Sequence, residues 1–212
     1  ELSDGTFDVT ILPILRLWER SAYTGKVPTD AEISRALELV NYQNMVAENS
    51  CIKFRKAGMG ITVAGVAKGY AVDKAIEALK RGNIRHALVN AGGDIRVIGG
   101  KTETIPWRIA IRDPRNITRI VTDIELREQA IATSGTYQRF FSDIINPRIG
   151  KPAQGLLSST IIAEKAIDAD MLSTCVFILG AERGIELLGR LDRVKALLIT
   201  RDGHILNYPE LA

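Results

Sequence analysis

From Thr62 to Gly100 the chain reads TVAGVAKGYAVDKAIEALKRGNIRHALVNAGGDIRVIGG, and this stretch limits the fold more than any other. A short apolar run, Ile61 to Val63, precedes an Ala-Gly pair and a helical pattern to about Arg81, so the spacing predicts a strand, a turn and a helix. Ala67, Ala71, Ala75 and Leu79 recur every four residues. This stripe of mostly small side chains is expected to lie close on a sheet, with Lys74, Glu77 and Arg81 toward water. Lys68 falls outside that division, since it precedes Ala71 and Ala75 on the inward face and sits in the first turn, where the helix dipole disfavours a cation. Two arrangements relieve it: the long stem carries the ammonium out to solvent, or an anion such as a phosphate shares the site with the free N–H groups of the turn. The pattern is not a Walker loop, because Gly69 rather than Ser or Thr follows Lys68, and no G-x-G-x-x-G occurs. Downstream, Ala87 to Asn90 and Ile95 to Ile98 read as strands around Gly92-Gly93-Asp94, a sharp turn whose small bulk lets a ligand approach the backbone.

The remaining elements follow from periodicity and punctuation. Phe7, Ile11, Leu15 and Trp18 recur at roughly helical spacing, broken by Pro13. Thr29 and Glu32 form a capping box that opens a helix to about Tyr42, with Ile33, Ala36, Leu37 and Val40 inward. Strands are expected at Ser50 to Arg55, Trp107 to Arg112, Arg119 to Leu126, Ser158 to Ala163 and Lys195 to Thr200, with a turn at Asp113-Pro114 and a helix from Ala181 to Leu191. Ala130 to Thr133 runs into Ser134-Gly135, where small hydroxyls either contact a phosphate or ring or simply make a turn.

A second polar singularity lies in the helix expected from Asp168, which is well placed as its N-cap. Asp170 and Thr174 are four apart on one face, whereas Met171, Leu172 and Cys175 to Leu179 are apolar. A carboxylate on a largely buried helix needs a partner. Mg²⁺ supplies one, because it takes hard oxygen ligands and commonly binds through one or two carboxylates plus substrate phosphates. The alternative is a first-turn acid held by the helix dipole.

Composition excludes more than it assigns. With 212 residues, 46% hydrophobic and 25% charged, the chain can bury a sizeable core as an ordinary globular protein. Its formal charge of +3 is small and its basic residues are scattered, so no nucleic-acid partner is implied. Cys51 and Cys175 are isolated, and neither reports a compartment.

GVAKGYAVD followed by ALVNAGGDIRVIGG resembles the ApbE family of FAD:protein FMN transferases, formerly called thiamine-biosynthesis lipoproteins. DGTFDVTILPILRLW, AIATSGTY, INPRIGKPA and DADMLSTCVFILG extend the resemblance along nearly the whole chain. The resemblance implies an α+β fold in which mixed, mostly antiparallel sheets pack with helices, formed as a single domain over residues 1–212. It implies an Mg²⁺-dependent transferase that splits FAD, joins FMN through a phosphoester to a Thr or Ser of a partner protein, and releases AMP. Metal ligands would be Asp170, Thr174 and the Gly65 carbonyl. The flavin nucleotide would meet Thr62, Gly65, Lys68, Gly92, Gly93, Thr133 and Ser134. Family members usually begin with an exported lipoprotein leader and a segment that helps hold the flavin, so this chain is expected to be the later part of a longer precursor. The expected place is the outer face of the cytoplasmic membrane or the periplasm, with the cytoplasm as the alternative, and contact with a membrane only through an N-terminal lipid anchor.

The sequence also departs from the family pattern. Thr62 replaces the aspartate usual before the glycines of the first motif, and Asp143 replaces the histidine of the segment that here reads DIINPRIG. Asp143 is thus the candidate base at that position and Lys68 the group that offsets transition-state charge. The two histidines, His86 and His204, match no catalytic motif. These departures leave two other outcomes open: hydrolysis of FAD to FMN and AMP, and a flavin-binding or assembly protein without turnover.

Overall fold

The structure, a computed structural model, describes residues 2–135 and 144–209. In chain order the elements are α1 (Leu12–Thr24), α2 (Asp30–Leu37), β1 (Met45–Glu48), β2 (Cys51–Phe54), α3 (Ala64–Arg81), β3 (Ala87–Ala91), β4 (Asp94–Ile98), β5 (Trp107–Asp113), β6 (Asn116–Leu126), β7 (Ala130–Gly135), β8 (Ile145–Asn146), β9 (Lys151–Pro152), β10 (Leu156–Ala163), α4 (Ala166–Leu179), α5 (Ala181–Leu188), β11 (Lys195–Thr200) and β12 (Ile205–Tyr208). Every strand pairing among the described residues is antiparallel, so the fold is α+β as expected. The residues fall into two compact units, one within Glu1–Val63 and Gln138–Ala153, the other within Ala64–Tyr137 and Gln154–Ala212.

The first unit holds α1, α2 and the hairpins β1–β2 and β8–β9. Pro13 does not break a helix here. It stands in the first turn of α1, where a missing N–H costs nothing. The Thr29–Glu32 capping box forms with both bonds, but α2 ends at Leu37, earlier than the apolar spacing suggests. The Trp18 indole N–H donates to the Gly150 carbonyl at 2.7 Å, and Gly150 has φ +65° beside Ile33 and Ile14, where a Cβ would collide. Ile61–Val63 is irregular rather than a strand; the Thr62 N–H is held by the Val9 carbonyl at 2.8 Å.

The second unit is built on a six-stranded sheet of order β12-β11-β10-β7-β4-β3. Alternation decides what each face carries. On one face Ile95, Val97, Ile131, Ile162, Leu197 and Ile199 pack with Ile109, Ile111 and Leu126 of the β5–β6 hairpin. The other face receives α4, which also packs with α3 and α5. A helix apolar nearly all round must be buried, and Leu172, Cys175, Val176 and Phe177 are at most 3% exposed. β12 pairs with β11 as a hairpin and forms this edge of the sheet.

Two local expectations are corrected. The buried face of α3 is Gly69, Val72, Asp73 and Ile76, spaced i, i+3, i+4, i+7, while Ala67 and Ala71 are exposed. Asp168 is not the N-cap of α4: the helix begins at Ala166, its N-cap Lys165 makes no side-chain bond, and Asp73 of α3 takes the Ala166 and Ile167 N–H groups, each at 3.0 Å.

Candidate functional site

Three charged side chains meet where α3, β4 and α4 converge. Ala91 and Asp94 face each other in the β3–β4 register, so only Gly92 and Gly93 turn the chain. Both have positive φ, +60° and +102°, as a tight two-residue hairpin turn requires. The Gly93 N–H is taken by the Asn90 side chain at 2.9 Å. The turn delivers Asp94, 1% exposed, onto the helix-covered face of the sheet.

Lys68, the fifth residue of α3, runs its stem past Gly92, whose Cβ would lie 3.8 Å from Lys68 Cδ. Its Nζ donates to Asp94 Oδ2 at 2.7 Å and stands 3.7 Å from Asp170 Oδ1. The Lys68 side chain is 46% exposed and the two carboxylates are nearly covered. The ammonium is not simply carried out to solvent: it keeps an open side while buried carboxylates hold the other.

Two carboxylates against one ammonium leave the cluster short of positive charge. Burial first, and then the Asp94 carboxylate, push the Asp170 pKa up to about 6, against the Gly69 N–H and Lys68, which both lower it. The Gly69 N–H reaches Asp170 Oδ2 at 3.1 Å. That approach needs a glycine, because a Cβ at Gly69 would sit 2.4 Å from the Ala166 carbonyl oxygen.

Hydroxyls continue the row of oxygens. The Ser134 Oγ is 2.7 Å from Ser173 Oγ and 3.2 Å from Thr174 Oγ1. Ser173 and Thr174 also donate back to the Asp170 carbonyl at 2.9 and 3.3 Å. The Asp170 carboxylate, nearly covered and faced by one N–H and a half-exposed ammonium, with the Ser173 and Thr174 hydroxyls at the carbonyl of the same residue, offers hard oxygen donors of the kind that fit Mg²⁺, which needs few protein ligands and keeps waters or phosphates for the rest. No group of three or more His, Cys, Asp or Glu among the described residues is placed to hold a metal by itself.

Of the residues singled out from sequence, Lys68, Gly92, Ser134, Asp170 and Thr174 come together here. Gly65 is the second residue of α3. The Gly69 N–H four residues further on is the one that donates to Asp170 Oδ2. Gly93 is the outer half of the turn, with open space around it. Thr133 does not join the cluster. It alternates with Ser134, and its hydroxyl meets Thr160 at 2.9 Å across the β7–β10 pair on the opposite face of the sheet. Thr62 belongs to the first unit. Asp143 lies outside the described residues. Sequence reasoning gave Asp94 only a place in a turn, and missed Asp73 and Ser173; an aspartate directly after a two-glycine turn at the start of an apolar strand was the available signal for Asp94.

A family model described as the ApbE family matches residues 1–198. The chain is 31% identical over 211 residues to an FAD:protein FMN transferase of Vibrio cholerae, covering 94% of this chain and 63% of that protein. It is 29% identical over 214 residues to one of Klebsiella pneumoniae, covering 96% and 66%. It thus spans just under two thirds of the length of these curated relatives. Among solved structures, the flavin transferase ApbE from Vibrio cholerae superposes with a TM-score of 0.86 at 30% identity, over 98% of this chain and 69% of that one. The ApbE protein from Thermotoga maritima gives 0.87 at 34%, over 97% and 70%.

Proposed function

The chain belongs to the ApbE family, and from that premise we propose that it takes part in moving FMN from FAD to a Thr or Ser hydroxyl of a partner protein, with AMP as the leaving group. The observation that carries this reading is the ammonium of Lys68 held at 2.7 Å from Asp94 and 3.7 Å from Asp170, with its other side open. In such a transfer the acceptor oxygen bonds to the phosphorus of the FMN half, the bond from that phosphorus to the bridging oxygen breaks, and the bridging oxygen leaves with AMP. Little covalent chemistry falls to the protein, so positioning and charge neutralisation dominate.

Each residue then has a limited task. Lys68 offsets charge that grows on the bridging and non-bridging phosphate oxygens, and Asp94 fixes where its ammonium stands. Asp170 and Thr174, with the Gly65 carbonyl, would hold Mg²⁺, which supplies neutralisation of phosphate charge when bound. Ser134 orients the Thr174 and Ser173 hydroxyls. The Gly92-Gly93 turn leaves the nucleotide room at the backbone. Asp143 is assigned the proton of the acceptor hydroxyl from the resemblance, and a carboxylate with an ordinary pKa near ~4 is a weaker base than a histidine.

Replacing Asp170 by Ala tests the metal assignment. The variant is expected to fold and to lose Mg²⁺-dependent turnover of FAD, because the change removes a buried charge together with its partner ion. Turnover and metal dependence equal to the parent's would remove Asp170 from the site.

A further inference from the structure

A second buried polar network runs beside the Lys68–Asp94–Asp170 cluster, on the same three elements. Asp73 of α3 is 6% exposed and accepts three bonds: Arg96 Nη1 at 2.6 Å, the Ala166 N–H at 3.0 Å and the Ile167 N–H at 3.0 Å. Each partner lies close to a member of the cluster. Asp73 follows Lys68 by a little over one helical turn on α3. Arg96 is two residues beyond Asp94 on β4, hence on the same face of the sheet. Ala166 and Ile167 open α4 one turn before Asp170. Between the two layers the backbones of α3 and α4 touch at Gly69, with no space for a Cβ against Ala166 and Ile167.

We infer that Asp73 is a positioning residue: its carboxylate fixes the register of α3 against α4 and, through Arg96, against β4, so that Lys68, Asp94 and Asp170 meet. Three features support a register role over ordinary capping. The carboxylate comes from a different element than the helix it caps, so the bond ties two elements together. Two of the orphan N–H groups at the α4 start are satisfied by one side chain, which sets the rotation of α4 as well as its height. The guanidinium, only 14% exposed, binds the same carboxylate oxygen as Ala166 and brings the third element to the same point. A shift of α3 along α4 would therefore break these bonds and the Gly69–Asp170 bond at 3.1 Å together.

The inference deepens the proposed transfer reaction and rests on that reading only for its catalytic consequence, so its test has a readout independent of turnover. In Asp73→Asn, an amide replaces the carboxylate and cannot accept all three bonds. Hydrogen exchange at the Gly69, Ala166 and Ile167 amides is measured alongside the dissociation constant for Mg²⁺ added alone. The comparison protein is Ile199→Val, a loss of one methylene on β11 under the hairpin, remote from α3 and α4. Asp73→Asn is expected to exchange the Gly69 amide at least tenfold faster than Ile199→Val, and to weaken Mg²⁺ by about 10–100-fold, the usual effect of removing a group that orients metal ligands. If Asp73→Asn does not fold, Asp73→Glu, which keeps the charge but moves it by one methylene, is read in the same way with the same expected signature. Gly69 exchange no faster than in Ile199→Val overturns the inference. If the parent binds no Mg²⁺, the metal assignment fails and the exchange result decides the positioning role alone.

Discussion

Lys68 Nζ stands 2.7 Å from Asp94 Oδ2, across 26 residues of sequence, and this bond joins the start of α3 to the β3–β4 turn. Lys68→Met keeps the stem and removes the charge, leaving Asp94 and Asp170 buried without their shared cation. Because the lysine is half exposed, the loss is expected at about 1–3 kcal/mol, below the full cost of breaking a buried pair. The same variant should lose more affinity for FAD than for riboflavin, which carries no phosphate. Calorimetric titration with both ligands checks this, and equal losses would mean that Lys68 serves the fold alone.

The raised pKa of Asp170, about 6 against an ordinary 3.8, has a defined sign. Between those values the folded chain retains a proton that the unfolded chain releases, so this group's contribution to stability falls as pH rises through the window and is level above it. Relative to Asp170→Asn, the parent without metal should therefore lose stability from about pH 4 to pH 6. Mg²⁺ competes with that proton, so its apparent affinity should drop about tenfold per pH unit below about pH 6. Urea melts of both proteins at several pH values, with and without Mg²⁺, read both effects.

Gly69→Ala should destabilise the protein by about 1–3 kcal/mol or more, since the added methyl meets backbone that cannot turn aside. A Cβ there would lie 2.4 Å from the Ala166 oxygen and 2.7 Å from Ile167 Cα. Gly82→Ala, with its nearest neighbour at 3.4 Å, is the control and should be close to neutral. Thermal melting of the pair checks the contrast.

Much of the fold was legible because its signals are local. The Gly92-Gly93 turn, the Thr29–Glu32 capping box and the alternation that turns Ile95 and Val97, and likewise Leu197 and Ile199, to one face all report on residues close in sequence. The Asp170–Thr174 spacing likewise survives into the structure, through the Thr174 bond to the Asp170 carbonyl. The face of α3 was misread because Asp73 counts as polar in any periodicity, yet it is buried by partners 23, 93 and 94 residues away. The same long-range bonds displace Asp168 from the cap that its own position suggested. Thr133 and Ser134 read as one motif, but strand alternation sends their hydroxyls to opposite faces of β7.

Asp143→Asn keeps the shape and removes the basicity, so it should cost about 10²–10⁴-fold in rate. Asp143→His should keep or raise activity near neutral pH, since an imidazole titrates closer to it. Single-turnover rates across pH distinguish the three proteins, and an Asp143→Asn variant as fast as the parent would leave positioning and charge neutralisation as the whole of catalysis.

The most direct test of the account is the intact mass of a flavin-acceptor protein after incubation with this protein, FAD and Mg²⁺. The account predicts a gain of one FMN less one water on a Thr or Ser, an equal amount of AMP, and neither product with Asp170→Ala. An unmodified acceptor with free FMN and AMP would mean that water takes the place of the hydroxyl, and an unmodified acceptor with intact FAD would contradict the transfer reaction outright.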